Sequence, residues 1–349
     1  MQTAAHDTKP NPFVAAVSRA LGNLRADDDM LELLKAHASL NPDAIEKVSP
    51  EVARTNPTIT DAVNLLLRQQ GRSTRPEDLV PGVMTQDITV DGATGPLTAR
   101  LYTPVGDGPF PVVLYFHGGG WVLANKEVYD GGARGLAKAA RALVISVDYR
   151  LAPEHKLPAA WLDAIAAYKW TLAHAQRYYG DPQRVALAGE SAGGNLAIAT
   201  AIAARDDPGI RQPVHVLAIY PVTQTDRDTE SYLENAIAMP LNRAMMKWFF
   251  EHTTRNHADL QDTRLQILYA PLRGLPPVTL ISARIDPLRS DSAKLEDALR
   301  KANVTVERRD YEGVTHEFFG AAAVVEKARE AQAWAGERLQ QAFTRQLTS

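Results

Sequence analysis

Val185-Ala186-Leu187-Ala188-Gly189-Glu190-Ser191-Ala192-Gly193 runs from an apolar segment into a Gly-x-Ser-x-Gly turn, and an alanine-rich helical stretch, Asn195 to Ala204, follows it. A strand, a tight turn and a helix in this order raise a serine hydroxyl on a sharp bend where only small neighbours fit. There the hydroxyl can meet a base and a substrate carbonyl together. The pentapeptide alone is a weak signal. Acyl transfer by serine also needs a base, a group that orients the base and donors for the oxyanion.

Outward from this turn, strands and helices alternate. Strands are predicted at Met84–Val90, Leu97–Thr103, Val112–Phe116, Leu143–Val147, Val185–Ala188, Val214–Ile219, Val278–Ile281 and Val304–Arg309. Helices predicted at Tyr129–Arg141, Ala159–Tyr178, Ser191–Ala204, Asp291–Lys301 and Ala321–Gln346 separate most of them. Near-continuous apolar strands between helices predict a mostly parallel sheet covered on both faces. The first two strands have no helix between them and are expected to form an antiparallel edge.

Residues 13 to about 75 read as helices instead. Phe13, Val14, Val17, Leu21 and Leu24 fall at helical spacing, as do Met30, Leu31, Leu33 and Leu34, and a third segment runs from Thr60-Asp61 to Gly71. Arg72 to Pro81 reads as a linker. A long stretch between Tyr220 and Val278 breaks the alternation and holds a helical pattern, Met239–His252. The expected organisation is an N-terminal helical segment, residues 1–75, and a catalytic domain, residues 76–349, with an insertion at about 222–272. Segment and insertion are each too small to bury their own apolar faces, so together they are expected to cap the strand ends where ligands bind in open α/β sheets.

Among the nine histidines, His316 follows the last predicted strand and a short loop, Tyr311 to Thr315, which puts it at the strand end where Ser191 emerges. It is the candidate base; an exposed loop histidine is the plain alternative. Asp286 follows Val278-Thr279-Leu280-Ile281-Ser282-Ala283 and precedes Pro287. It is the candidate orienting carboxylate, or else the cap of the next helix. Asp291 and Asp297 lie beside or within that helix and are poorer candidates. His117-Gly118-Gly119-Gly120-Trp121 follows the strand Val112–Phe116, and its glycines let backbone N–H groups approach a developing alkoxide. A phosphate-cradling loop is disfavoured because no Lys-Ser/Thr follows. His117 reads as support for the loop.

These stretches, with Asp148-Tyr149-Arg150-Leu151-Ala152-Pro153-Glu154 and Asp286-Pro287-Leu288-Arg289, resemble the hormone-sensitive-lipase-like branch of the α/β-hydrolases, also called bacterial esterase family IV. The resemblance implies an α/β-hydrolase fold with a helical cap and a triad of Ser191, Asp286 and His316. It implies an oxyanion hole of Gly119, Gly120 and Ala192, short-to-medium acyl esters as substrates, and neither metal nor organic cofactor. The Asp148–Glu154 stretch is expected to shape the site from beside it. Three positions depart from the family pattern: Glu190 where Asp is more usual, Ser290 in place of Asp, and Glu317 where Gly is common. Gly118, Trp121, Met245 and Trp248 are candidate pocket residues; the cluster of Met245, Met246, Trp248 and Phe249 is a candidate lining of the entrance, with packing within the cap as an equal alternative. Trp161 and Trp170 read as core contacts of a covering helix.

Bulk properties are consistent with an enzyme of this kind. The chain has 349 residues, 45% hydrophobic and 23% charged, with a net charge of −3, so a large core is expected and nothing draws it to nucleic acid or an anionic membrane. The lack of cysteine excludes a thiolate nucleophile, a Cys-ligated zinc site and disulfides. No signal peptide and no membrane-length apolar run is visible, which predicts a cytoplasmic protein. A small-molecule ester is the expected partner, and a homodimer is an open option. Two rivals remain: an amidase or aryl-formamidase with the same triad, and a non-catalytic small-molecule receptor on the same fold. Retention of His316 counts against the receptor.

Overall fold

The computed structural model describes residues 25–345, so the predicted helical pattern from Phe13 to Leu24 lies outside the described residues. Eight strands form one sheet in the order β1-β2-β4-β3-β5-β6-β7-β8. They are β1 (Val83–Asp91), β2 (Pro96–Pro104), β3 (Phe110–Phe116), β4 (Leu143–Val147), β5 (Gly180–Glu190), β6 (Val216–Ile219), β7 (Val278–Ile285) and β8 (Val306–Thr315). β1 pairs antiparallel with β2 and β2 with β4; all other pairings are parallel.

Alternation along the central strands sends side chains into two cores. Val112, Leu114 and Phe116 of β3 join one cluster, with Leu196 of helix Ala192–Asp206 and Leu295 of helix Arg289–Lys301. Val113 and Tyr115 join the other, with Leu136 of helix Asp130–Ala140 and Leu339 of helix Glu326–Arg345. Trp161 and Trp170, on helix Ala159–His174, are buried in the first core as expected.

Several boundaries differ from the sequence reading, and three of them have a clear local cause or consequence. The predicted loop Tyr311–Thr315 is strand: β8 continues beside β7, and the register shifts between Ala283 and Ile285, where Tyr311 pairs with Ala283 and Thr315 with Ile285. The extra β8 residues form a bulge around Gly313, whose φ of +71° is one that side chains rarely adopt. Helix Arg243–Thr253 starts later than Met239 because Asn242 caps it, its side chain accepting from Met245 N–H at 3.0 Å. The Arg72–Pro81 linker contains a short helix, Pro76–Leu79.

The N-terminal segment divides between the two cores. Met30 and Leu33 of helix Asp28–Ser39 pack with Leu66 and Leu67 of helix Ile59–Gln69 in the second core, whereas Ile45 and Ala53 join Trp248 and Phe249 in the first. Thr58 and Asp61 form a reciprocal capping box at the start of Ile59–Gln69. No described helix is long and apolar enough to cross a membrane.

Candidate active site

Ser191 stands between β5 and helix Ala192–Asp206 with φ 57° and ψ −117°, a strained conformation for a residue with a side chain. Its N–H donates to Ile219 O at 2.8 Å and its carbonyl accepts from Val222 N–H at 3.2 Å, which ties the bend to β6. The small flanking residues are a steric requirement. A Cβ on Gly193 would lie 2.0 Å from the Phe116 carbonyl oxygen, and one on Gly189 would lie 2.2 Å from that of Gly193.

Three side chains from distant parts of the chain meet here. His316 Nε2 lies 3.0 Å from Ser191 Oγ, and His316 Nδ1 lies 2.7 Å from Asp286 Oδ2. All three residues are buried. Asp286 is not the cap of helix Arg289–Lys301, whose N-cap position is Leu288 without a side-chain cap; its Oδ1 accepts from Leu288 N–H at 2.8 Å, an Asx-turn just ahead of that helix. One oxygen therefore orients the imidazole and the other holds the loop. Asp291 does not reach His316. It accepts instead from Thr223 N–H at 2.9 Å and Gln224 Nε2 at 3.0 Å, and burial pushes its carboxyl up to about 7.

The glycine run lies beside Ser191. Gly119 and Gly120 have φ of +90° and +60° and line the same cavity as Ser191. The N–H groups of Gly119, Gly120 and Ala192 donate to no protein acceptor among the described residues. His117 supports this loop from behind: it is buried, stacks on Tyr149 at 4.3 Å between centroids, and its Nδ1 lies 2.8 Å from the Gly118 carbonyl oxygen. Burial lowers its pKa, and no hydrogen bond joins it to Ser191. The Asp148–Glu154 stretch buttresses the loop further. Tyr149 OH donates to His117 O at 2.8 Å, and Ala152 N–H donates to Trp121 O at 2.8 Å.

His316 is raised above its ordinary pKa. Burial opposes the charged imidazolium, but the charge and hydrogen bond of Asp286 outweigh it, with smaller help from Glu317 and Glu190. Glu190 is buried behind the nucleophile, where it accepts from the hydroxyls of Tyr115 and Tyr220. Burial pushes its carboxyl up to about 7, against the pull of those two phenols. The Tyr220 ring lies 4.5 Å from the imidazole of His316. The sequence marks Glu190 and Glu317 only as departures from a pattern; their partners lie too far away along the chain to be inferred.

A cavity of about 760 Å³ opens over Ser191 and His316. Of the four pocket residues expected, Met245 lines it, together with Met246 and Phe249 of the same helix. Gly118, Trp121 and Trp248 do not. Gly118 faces Tyr129, whose hydroxyl would lie 2.3 Å from an added Cβ. Trp121 is buried against Trp161 and Phe250, at centroid distances of 5.1 and 6.4 Å. Trp248 turns towards Val48, donating its indole N–H to the carbonyl at 3.2 Å, because a buried indole needs an acceptor. Arg54, which the sequence does not single out, pairs bidentately with Glu154, 2.7 Å to each oxygen. It also donates to the carbonyls of Val122 at 2.9 Å and Ala152 at 2.8 Å.

A family model described as alpha/beta hydrolase fold matches residues 113–320. The chain is 38% identical over 281 residues to carboxylesterase NlhH of Mycobacterium tuberculosis strain H37Rv, covering 78% of this chain and 88% of that one. It is 34% identical over 263 residues to an ethyl acetate hydrolase of Pseudomonas putida, covering 72% of this chain and 80% of the relative. An esterase of Pyrobaculum calidifontis has a similar solved structure, with a TM-score of 0.77 and 33% identity, spanning 85% of this chain and 94% of that one.

Proposed function

The chain belongs to the hormone-sensitive-lipase-like branch of the α/β-hydrolases, and from that membership we propose that it hydrolyses carboxylic esters of short-to-medium acyl chain through an acyl-enzyme on Ser191. The observation that carries this reading is the position of His316, in reach of both Ser191 Oγ and Asp286 Oδ2. Ser191 Oγ attacks the ester carbonyl while its proton passes to His316 Nε2. Asp286 stabilises the imidazolium, and the N–H groups of Gly119, Gly120 and Ala192 receive the oxyanion. Collapse of the intermediate breaks the C–O bond, and the departing alcohol takes the proton from His316. Water repeats the sequence on the acyl group and restores the serine. The carboxylesterase name of a relative with 38% identity supports the reaction class, and the ethyl acetate hydrolase relative supports small esters.

A chain-length series of p-nitrophenyl esters, each with its matched anilide, tests the proposal. Turnover of esters far above anilides is expected; the reverse would make the protein an amidase. The pH profile gives a second check. His316 must be neutral to accept the serine proton, and its pKa is raised above the ordinary value. Activity is thus lost as pH falls through that raised value, so kcat/KM should have its acid limb above about 6.5 and a maximum in mildly alkaline buffer. A rate flat from about pH 5 to 9, with chemistry limiting, would remove histidine as the base.

The N-terminal segment and the insertion at about 222–272 are read together as the cap. The Trp248–Val48 hydrogen bond and the cavity lining shared by Ile45, Arg54 and Met245 support this. Arg54→Ala is expected to lower unfolding free energy by about 1–2 kcal/mol, since two carbonyls and Glu154 lose a charged donor. It should also reduce kcat/KM for a hexanoate ester more than for an acetate. Denaturant titration and the chain-length series measure both, and an equal loss on the two esters would argue against a role for the segment in substrate size.

A further inference from the structure

The cavity over Ser191 has an uneven charge. Its lining residues include five acidic ones, Asp43, Glu46, Asp148, Glu154 and Glu317, and one arginine, Arg54. Two of these anions are already neutralised: Asp148 pairs with Lys126 at 2.8 Å and Glu154 with Arg54 at 2.7 Å. Arg54 is further occupied by two backbone carbonyls. Among the described residues, Asp43, Glu46 and Glu317 have no ion-pair partner.

Glu317 lies closest along the chain to the chemistry, directly after His316. Its Oε1 accepts from the hydroxyl of the buried Tyr129 at 2.9 Å, which fixes the carboxylate, and Oε2 has no donor among the described residues. Its φ is +63°, a backbone conformation that glycine adopts freely and a glutamate adopts at a cost. The backbone therefore gives no reason for a side chain here. A carboxylate held by a phenol at the wall of a partly desolvated site attracts cations and repels anions more strongly than one in open water.

We propose that Glu317 sets substrate charge, so that the enzyme prefers esters bearing an ammonium group and discriminates against esters bearing a carboxylate. This rests on the ester-hydrolase reading of the same site. It concerns the part of the substrate that is not reacting, on either the alcohol or the acyl side of the ester bond.

Two matched series test it by titrimetric assay. The alcohol-side series is acetylcholine, its neutral isostere 3,3-dimethylbutyl acetate, and 3-acetoxypropanoate. The acyl-side series is the ethyl esters of 4-(trimethylammonio)butanoate and 5,5-dimethylhexanoate, with monoethyl glutarate. In at least one series the wild-type kcat/KM for the cationic ester should exceed that for the anionic ester by about tenfold or more. Glu317→Gln should reduce that ratio by at least about threefold, and raising ionic strength should reduce it in the wild type. Glu317→Gly, which suits the backbone, provides the same comparison should the glutamine variant fold poorly. A wild-type ratio near unity in both series, or a ratio that both variants leave intact, would overturn the proposal. Absence of turnover of the neutral esters by the wild type would instead overturn the ester-hydrolase reading, and the proposal with it.

Discussion

Ser191→Ala is expected to abolish ester turnover, with a loss on the order of 10⁶ in kcat, while the protein stays folded. The loss is large because the hydroxyl is the proposed nucleophile and His316 and Asp286 have nothing to activate without it. The fold should tolerate the change because, among the described residues, the Ser191 side chain hydrogen-bonds to His316 alone and supports no core. The strained φ of 57° is no worse for alanine than for serine. Wild-type protein should take up one equivalent of a fluorophosphonate on the peptide containing Ser191, detected by mass spectrometry, and the variant none. Near-wild-type turnover in a preparation free of other esterases would sink the assignment. A collapsed melting transition would mean that the hydroxyl supports the turn instead.

Asp286→Asn is expected to cost on the order of 10⁴ in kcat with little change in KM. Asparagine keeps the shape, but its amide can donate towards His316 Nδ1. That favours the tautomer whose Nε2 carries a proton and cannot accept one from serine. The fixed charge that stabilises the imidazolium is lost as well. Asp291→Asn provides the contrast. That carboxyl is buried, contacts Thr223 and Gln224 and lies outside the His316 hydrogen bonds, so its replacement should change stability more than rate. If Asp291→Asn removed activity and Asp286→Asn did not, the orienting carboxylate would be misassigned.

The sequence places Ser191, Asp286 and His316 downstream of the strands that become β5, β7 and β8, because strands are legible from short apolar runs. The end of β8 was less legible. Tyr311 to Thr315 contains Glu312 and Gly313, which read as a loop, yet these residues continue as strand through a bulge. Pairing with β7 outweighs local preference there, and the bulge carries His316 to Ser191. The pocket was partly legible, since Met245, Met246 and Phe249 line it, but its tryptophans misled for a different reason. Trp121 and Trp248 are large and adjacent to functional features, so both suggest a wall. Trp121 instead fills space against Trp161 and Phe250, and Trp248 satisfies its N–H at Val48.

From its residues alone the chain determines the order of its strands and helices, the strained turn that holds Ser191, and the candidates for base, carboxylate and oxyanion donors. These depend on periodicity and on steric limits that act within a few neighbouring residues. Only the tertiary structure decides that Glu190 is buried between Tyr115 and Tyr220, that Arg54 clamps Glu154 and the carbonyls of Val122 and Ala152, and that Glu317 stands at the cavity wall beside Tyr129. These pairs are separated by 30 to 188 residues, and sheet order and cap packing bring them together. Charge and burial belong to that assembled arrangement: a glutamate that would be an ordinary surface acid on an isolated strand has its carboxyl pushed up to about 7 once β3, β5 and β6 enclose it.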